Sequence, residues 1–414
     1  MRLFFKTGSW IIKSAAAFMA FACAALNYSP LMSGVRSMPG AYYAESGEQL
    51  AEAINGSSLP YGLTVAASGS SDESLTGASY TVECRLFGLI TIKKAAAYIG
   101  QRAYLVPCGQ PVGISIYTQG VLVVGLGSFA DENGRDVSPA ADAGLRAGDI
   151  ILAANGQSVS TTAELQGLID GCTGSVTLDI ERAGTRRRLD VAPGSLSGGA
   201  GRRIGAWIRD STVGIGTLSF YDPETGLIAA LGHAVVDIDT GTLLKVRDGK
   251  LVRAQIIGVS RGRAGSPGEL HGTFDNESIV IGTVCGNTEL GIFGYAEDGF
   301  SPDALTAPVP VAYPDEVHTG AAVIYASVDN GGTAQYACRI VKTGRQLGPE
   351  QKGLVIEITD QALLDKTGGI VQGMSGSPIL QDGRLVGVVT HVFVNDPKKG
   401  YGAYAYWMYD TFGG

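Results

Sequence analysis

At 414 residues the chain is long enough for two or three domains, and its 45% hydrophobic share excludes a mostly disordered polypeptide. A net charge of -8, with only 17% of residues charged, argues against a general nucleic-acid-binding role. With 60 glycines set between short runs rich in Val, Ile and Thr, the composition predicts a mainly β chain with many turns.

Arg2, Lys6 and Lys13 precede an apolar run from Ser14 to Leu26, so residues 1–28 read as a signal peptide or signal anchor that directs export. Residues 29–84 are rich in Ser, Gly and Ala and read as a spacer, with one short amphipathic helix at Ala44 to Ile54. A connecting strand region follows at 85–103. Residues 104–193 form a recognisable module: Val112-Gly113-Ile114-Ser115-Ile116, a strand from Gly120 to Leu126, then Ser138-Pro139-Ala140-Ala141-Asp142-Ala143-Gly144-Leu145-Arg146-Ala147-Gly148-Asp149-Ile150-Ile151 and the turn Asn155-Gly156. This module resembles a PDZ domain. The resemblance implies that Gly113, Ile114, Ser115 and Ile116 are the loop that captures a peptide terminus, with Thr161 to Ile169 the helix flanking the groove. The basic run Arg186-Arg187-Arg188 reads as a solvated hairpin edge.

A linker at 194–201 leads into residues 202–414, where short strands alternate with turns in the manner of a single β-barrel-type domain, with two six-stranded halves as one arrangement that fits. The six cysteines, Cys23, Cys84, Cys108, Cys172, Cys285 and Cys338, fall at no metal-ligand spacing, and four histidines make a zinc site improbable. Free thiols are expected, and neither a metal nor a cofactor.

The chemistry concentrates at Gly373-Met374-Ser375-Gly376-Ser377-Pro378. A serine between glycines, followed by a hairpin, suggests a nucleophile in a tight loop, with the Gly373 and Ser375 N–H groups forming an oxyanion hole. Trypsin-like serine proteases use a similar Gly-x-Ser-Gly-Gly-Pro loop, in which Ser377 here replaces the second glycine. A serine hydroxyl needs a base. His271 and His318 sit among turn-like polar residues and His391 continues the following strand, whereas His233 ends an apolar strand behind a glycine. The third group is open among Asp360, Asp237, Asp239 and Asp365.

Leu86-Phe87-Gly88-Leu89-Ile90, Ala230-Leu231-Gly232-His233, Gly291-Ile292-Phe293-Gly294, the run Thr367 to Pro378, and Thr390-His391-Val392-Phe393-Val394-Asn395-Asp396-Pro397 together resemble the SpoIVB (stage IV sporulation protein B) peptidase family. That resemblance implies a PDZ domain followed by a trypsin-like β-barrel serine peptidase, with Ser375 as nucleophile, His233 as general base and Asp360 as orienting acid. It further implies an exported enzyme at the forespore membrane, facing the space between forespore and mother cell and released after self-cleavage. Its substrates would be itself and a SpoIVFA-like regulator of an intramembrane metalloprotease, the step that leads to processing of pro-sigma-K. An exported PDZ adaptor with an inactive peptidase-like domain is the alternative. A quality-control protease of the HtrA group ranks lower, because there the protease precedes the PDZ domain.

Overall fold

The computed structural model describes residues 29–56, 63–74, 77–196, 201–274, 279–344, 346 and 348–413. The apolar leader at 1–28 lies outside them, and among the described residues no helix is long and apolar enough to cross a membrane.

The stretch read as spacer and connector is folded. Helices α1 (Pro30–Ser37) and α2 (Gly47–Gly56) accompany strands β1 (Ala41–Ala44), β2 (Leu63–Ser74), β3 (Gly77–Leu86) and β4 (Ile90–Ile99), which form a sheet in the order β1-β4-β3-β2. Its polar composition hid a small core of Met38, Tyr42, Leu50, Val82, Cys84 and Ala97. Tyr43 fastens this sheet to the rest of the protein, stacking on Tyr98 and on Tyr313 at ring-centroid distances of 5.2 and 5.4 Å.

The remainder is built on two closed barrels of six strands each. The first contains β6 (Pro111–Leu126), β10 (Ala206–Tyr221), β11 (Leu227–Ala230), β12 (Val246–Arg253), β15 (Val280–Thr288) and β16 (Gly291–Ala296), joined around the ring as β6-β12-β15-β16-β11-β10 and closed by β10 on β6. Strand β5 (Tyr104–Pro107) adds to the end of β10. The second barrel is β17 (Gly320–Ala326), β18 (Ala334–Thr343), β19 (Leu354–Ile358), β22 (Lys399–Tyr404), β21 (Arg384–Val392) and β20 (Pro378–Gln381) in ring order. A hairpin of β13 (Gln255–Ser260) and β14 (Glu269–Thr273) leaves the first barrel toward the second.

The PDZ unit is inserted into the first barrel rather than strung before it. It comprises the far half of β6, β7 (Ile150–Ala154), helix α3 (Thr162–Gly171), β8 (Val176–Arg182), β9 (Thr185–Val191) and the first residues of β10, which return to pair with β6. Two long strands therefore run through both units. The module boundary drawn at 104 in the sequence falls inside the first barrel, because β5 and β6 begin there. The PDZ core is apolar, with Val121, Leu145, Ile151, Leu165, Leu178 and Ile180 buried. Thr161 and Glu164 form a capping box at the start of α3. The basic run of β9 is exposed, with Arg188 paired to Asp179. Five cysteines are free thiols, of which Cys84, Cys108 and Cys338 are buried and Cys285 is exposed.

One buried ion pair supports the PDZ unit. Asp149, with a side chain 1% exposed, accepts from Arg182 Nε and Nη2 at 2.6 Å each and from the Arg146 N–H at 2.8 Å. Removing the carboxylate strands a guanidinium and an N–H in a closed site, so Asp149→Ala is expected to cost about 3 kcal/mol. Urea unfolding of the variant against the parent protein measures it.

Candidate active site

The Ser375 loop connects α4 (Gln361–Thr367) to β20, the first strand of the hairpin that continues into β21. Almost every internal hydrogen bond of the loop is made. The Gln372 N–H donates to Gly268 C=O, Met374 to Val371, Gly376 to Val389 and Ser377 to Met374, at 2.7–3.1 Å. Three N–H groups of the loop, those of Val371, Gly373 and Ser375, donate to no protein acceptor among the described residues, and the last two lie beside the Ser375 hydroxyl.

The loop is held from across the barrel interface. Thr217 on β10 donates its hydroxyl to Gly373 C=O at 2.7 Å and its N–H to Ser375 C=O at 3.3 Å. Gly376, at φ +98°, lies so close to β10 that a Cβ would stand 2.3 Å from the Thr217 oxygen. Only glycine permits both that backbone conformation and that approach. The Ser375 hydroxyl donates to Thr390 C=O on β21 at 2.8 Å.

His233 follows a left-handed turn, Leu231 and Gly232, at the end of β11. Its Nδ1 lies 3.0 Å from Ala234 C=O, and the ring is 5.0 Å from that of His391 at a 38° tilt. Ser375, His233 and His391 all line one cleft of about 500 Å³ between the barrels. Its other walls are mainly apolar, among them Val213, Ile215, Ile370, Val371, Val392 and Val394, and among the described residues no carboxylate, lysine or arginine lines it. Burial pushes the His233 imidazole below its ordinary value, and burial together with the neighbouring His233 and Lys352 does the same for His391.

None of the four candidate acids bonds to His233. Asp360 caps α4, accepting from the Leu363 N–H at 3.0 Å, and also accepts from the Ala337 N–H at 3.3 Å. Its place at the end of a strand before a helix is explained by that cap. Asp237 is buried on Arg209 and the Thr240 hydroxyl, Asp239 pairs with Arg209 at 3.0 Å, and Asp365 accepts from Gln361. His271 bonds Ser260 and His318 pairs with Asp382, both outside the cleft.

The loop assigned to peptide capture is also corrected. Gly113, Ile114, Ser115 and Ile116 lie inside β6, laddered to β10 on one edge and to β12 on the other, with Ile114 and Ile116 buried. Both edges are paired, so no peptide strand can add there. A groove of about 230 Å³ lies instead between α3 and the start of β10, lined by Phe129, Gln166, Ile169, Ile204, Gly205 and Ile208. Its sequence signal, Arg202-Arg203-Ile204-Gly205 heading a strand, stands at the opposite end of the module from Gly113.

Two six-stranded barrels that meet at a serine–histidine cleft, with a PDZ unit let into the first, define a protein of peptidase-like architecture. The SpoIVB peptidase S55 family model matches residues 200–409, just over half of the chain, and the chain belongs to that family. A PDZ domain model matches residues 133–182. A probable periplasmic serine endoprotease, DegP-like, from Pseudomonas putida is 30% identical over 155 residues, covering 36% of this chain. The chain spans only 28% of that relative's length. Among solved structures, the active form of the Rv3671c protease from M. tuberculosis is 16% identical, covering 49% of this chain and 74% of its own, with a TM-score of 0.27. The PDZ domain of the SdrC-like protein (Lmo2051) from Listeria monocytogenes is 22% identical, covering 22% of this chain and 87% of its own, with a TM-score of 0.18. Both overlaps are too loose to bear on function.

Two outcomes are expected of the site itself. Asp360→Ala should cost about 1 kcal/mol of stability through loss of the helix cap, while Asp360→Asn, which caps equally well, should melt like the parent protein. In a proton NMR titration, His233 should lose its proton with a midpoint below the ordinary imidazole value of about 6.5. Because the folded value is the depressed one, both imidazoles withdraw stability as pH falls below about 6.5 and leave it intact above.

Proposed function

We propose that the chain is a serine endopeptidase in which Ser375 is the nucleophile and His233 the general base. One observation carries the reading: Gly373 and Ser375 hold two unspent N–H groups on either side of Met374, beside the hydroxyl and in the same cleft as the imidazole. Those donors suit the oxygen of a tetrahedral intermediate.

The Ala234 carbonyl acts as the orienting group, accepting from Nδ1–H and leaving the Nε2 lone pair for the serine proton. Rotation about the Ser375 side-chain bond exchanges Thr390 C=O for that lone pair. The serine oxygen then adds to the scissile carbonyl, its proton passing to Nε2 and the carbonyl oxygen becoming the anion held by the two N–H groups. Collapse expels the amine, which takes the proton from Nε2 and leaves an acyl-enzyme. Water, deprotonated by His233, completes hydrolysis by the same steps. The apolar walls favour substrates with an aliphatic side chain beside the cut.

Membership of the S55 family supports the finer reading. In it the enzyme is exported by its N-terminal segment and works between forespore and mother cell. It cleaves itself and a membrane-associated regulator of an intramembrane metalloprotease, triggering pro-sigma-K processing. N-terminal sequencing of products from the full chain tests self-cleavage.

The peptidase reading is tested with a fluorophosphonate probe and two variants. Ser375 should be labelled in the folded protein, and Ser375→Ala and His233→Ala should each lower kcat/KM by roughly a thousandfold or more. Absence of both labelling and cleavage would leave an exported PDZ adaptor as the function, and a Ser375→Ala protein that cleaves at the parent rate would refute Ser375 as the nucleophile.

A further inference from the structure

We propose that the PDZ groove and the active-site cleft form one continuous peptide track along the free edge of β10, so that the enzyme cuts at a set distance from a substrate's free C-terminus. This rests on the peptidase reading and adds a substrate class to it: extended chains with an accessible carboxyl terminus and an apolar last residue.

The track follows from the pairing of a single strand. From Ala206 to Thr217 one edge of β10 is laddered to β6. The opposite edge pairs with β11 only from Leu218 onward. At Thr217 that same edge meets the catalytic loop, through the bond from its N–H to Ser375 C=O. Between Ala206 and Gly216 no described strand occupies it. Trp207 and Val213 along this stretch are 69% and 63% exposed. Thr212 to Ile215 line the cleft, and Ala206 to Ile208 line the groove.

The groove end is built to stop a chain. Helix α3 is tied alongside β10 at both ends, by Thr162 N–H on Asp210 at 2.7 Å and by Arg202 N–H on Asp170 at 2.8 Å. At the head of the strand, Ile204 and Gly205 donate their N–H groups to no protein acceptor among the described residues, and Arg203 stands exposed beside them. Gly205 adopts φ +76° with the Gly127 carbonyl packed against it, leaving no room for a side chain. Free N–H groups, a cation and the apolar pocket of Phe129 and Ile169 suit a terminal carboxylate on an aliphatic residue. A chain anchored there and added to the free edge runs antiparallel to β10, so its upstream residues reach the cleft. The eleven positions from Ala206 to Gly216 span roughly 35 Å of extended strand, which places the cut about ten residues from the terminus.

The test uses full-chain Ser375→Ala protein, so that no turnover is needed. The probe is an extended peptide of about sixteen residues. It ends in a free-acid valine and carries a benzophenone either next to that valine or about ten residues upstream. The first should cross-link to α3, the second to the cleft around Val213 or Val394, and the C-terminally amidated peptide should bind about tenfold more weakly. Upstream cross-links confined to the PDZ unit, equal binding of acid and amide, or no binding of either would overturn the track. Active enzyme separates this from failure of the peptidase reading. A labelled Ser375 with no dependence of kcat/KM on the terminus or its spacing refutes the track alone, while an unlabelled Ser375 with intact cross-links refutes only the peptidase.

Discussion

The pairing of β6 with β10 is the constraint on which the other features depend. It closes the first barrel, carries the PDZ unit at its far end, and presents Thr217 to the Ser375 loop. The backbone hydrogen bonds of a long ladder form and break together, so its two ends move as parts of one object. Arg209, near the start of β10, also binds Asp237 and Asp239 in the segment just after His233. The serine loop, the histidine segment and the PDZ groove are therefore all referenced to one strand. The β13–β14 hairpin adds a second hold on the serine loop, through the Gln372 N–H on Gly268 C=O and the Leu270 N–H on Gln372 C=O.

The cleft is unusual in its electrostatics. A trypsin-like arrangement relies on a buried carboxylate to hold the imidazole and to stabilise its cation. Here the nearest partners of His233 are a backbone carbonyl and a second imidazole, in apolar surroundings. A carbonyl dipole fixes the tautomer as well as a carboxylate does, but it compensates less of the charge that develops on the ring. With burial as the larger effect, the imidazole keeps its neutral form to a lower pH than a free one does. In the proposed mechanism, part of the burden of charge stabilisation then shifts to the Gly373 and Ser375 N–H groups.

What was legible in the sequence was what local chemistry determines. Ser375 and His233 announce themselves because a glycine-flanked serine and a histidine ending an apolar strand are short-range patterns, and the cleft holds both. The two barrels were visible as strand-and-turn spacing. Asp360 was drawn into the site by its position before the serine, yet that position equally suits a helix N-cap, and the cap is what the carboxylate does. Gly113 to Ile116 read as a capture loop because a glycine opening a strand looks alike in both settings. Only pairing on both edges excludes it, and partners such as Gly249 and Val213 lie about a hundred residues or more away. The folded N-terminal sheet was missed for a similar reason: its core is small and its strands are polar outside.

Insertion of the PDZ unit changes what that unit can do. A domain joined by a flexible linker influences a neighbour mainly by raising local concentration, and its reach is set by chain statistics. Residues 194–201, read as such a linker, lie within the insertion, so they do not separate the PDZ unit from the peptidase barrels. The junctions are instead the two strands themselves, bent at the β-bulges between Trp207 and Ile208 and between Arg209 and Ser211. A bulge redirects a strand without releasing it, so a load placed on the start of β10 is borne by the same ladder that seats Thr217.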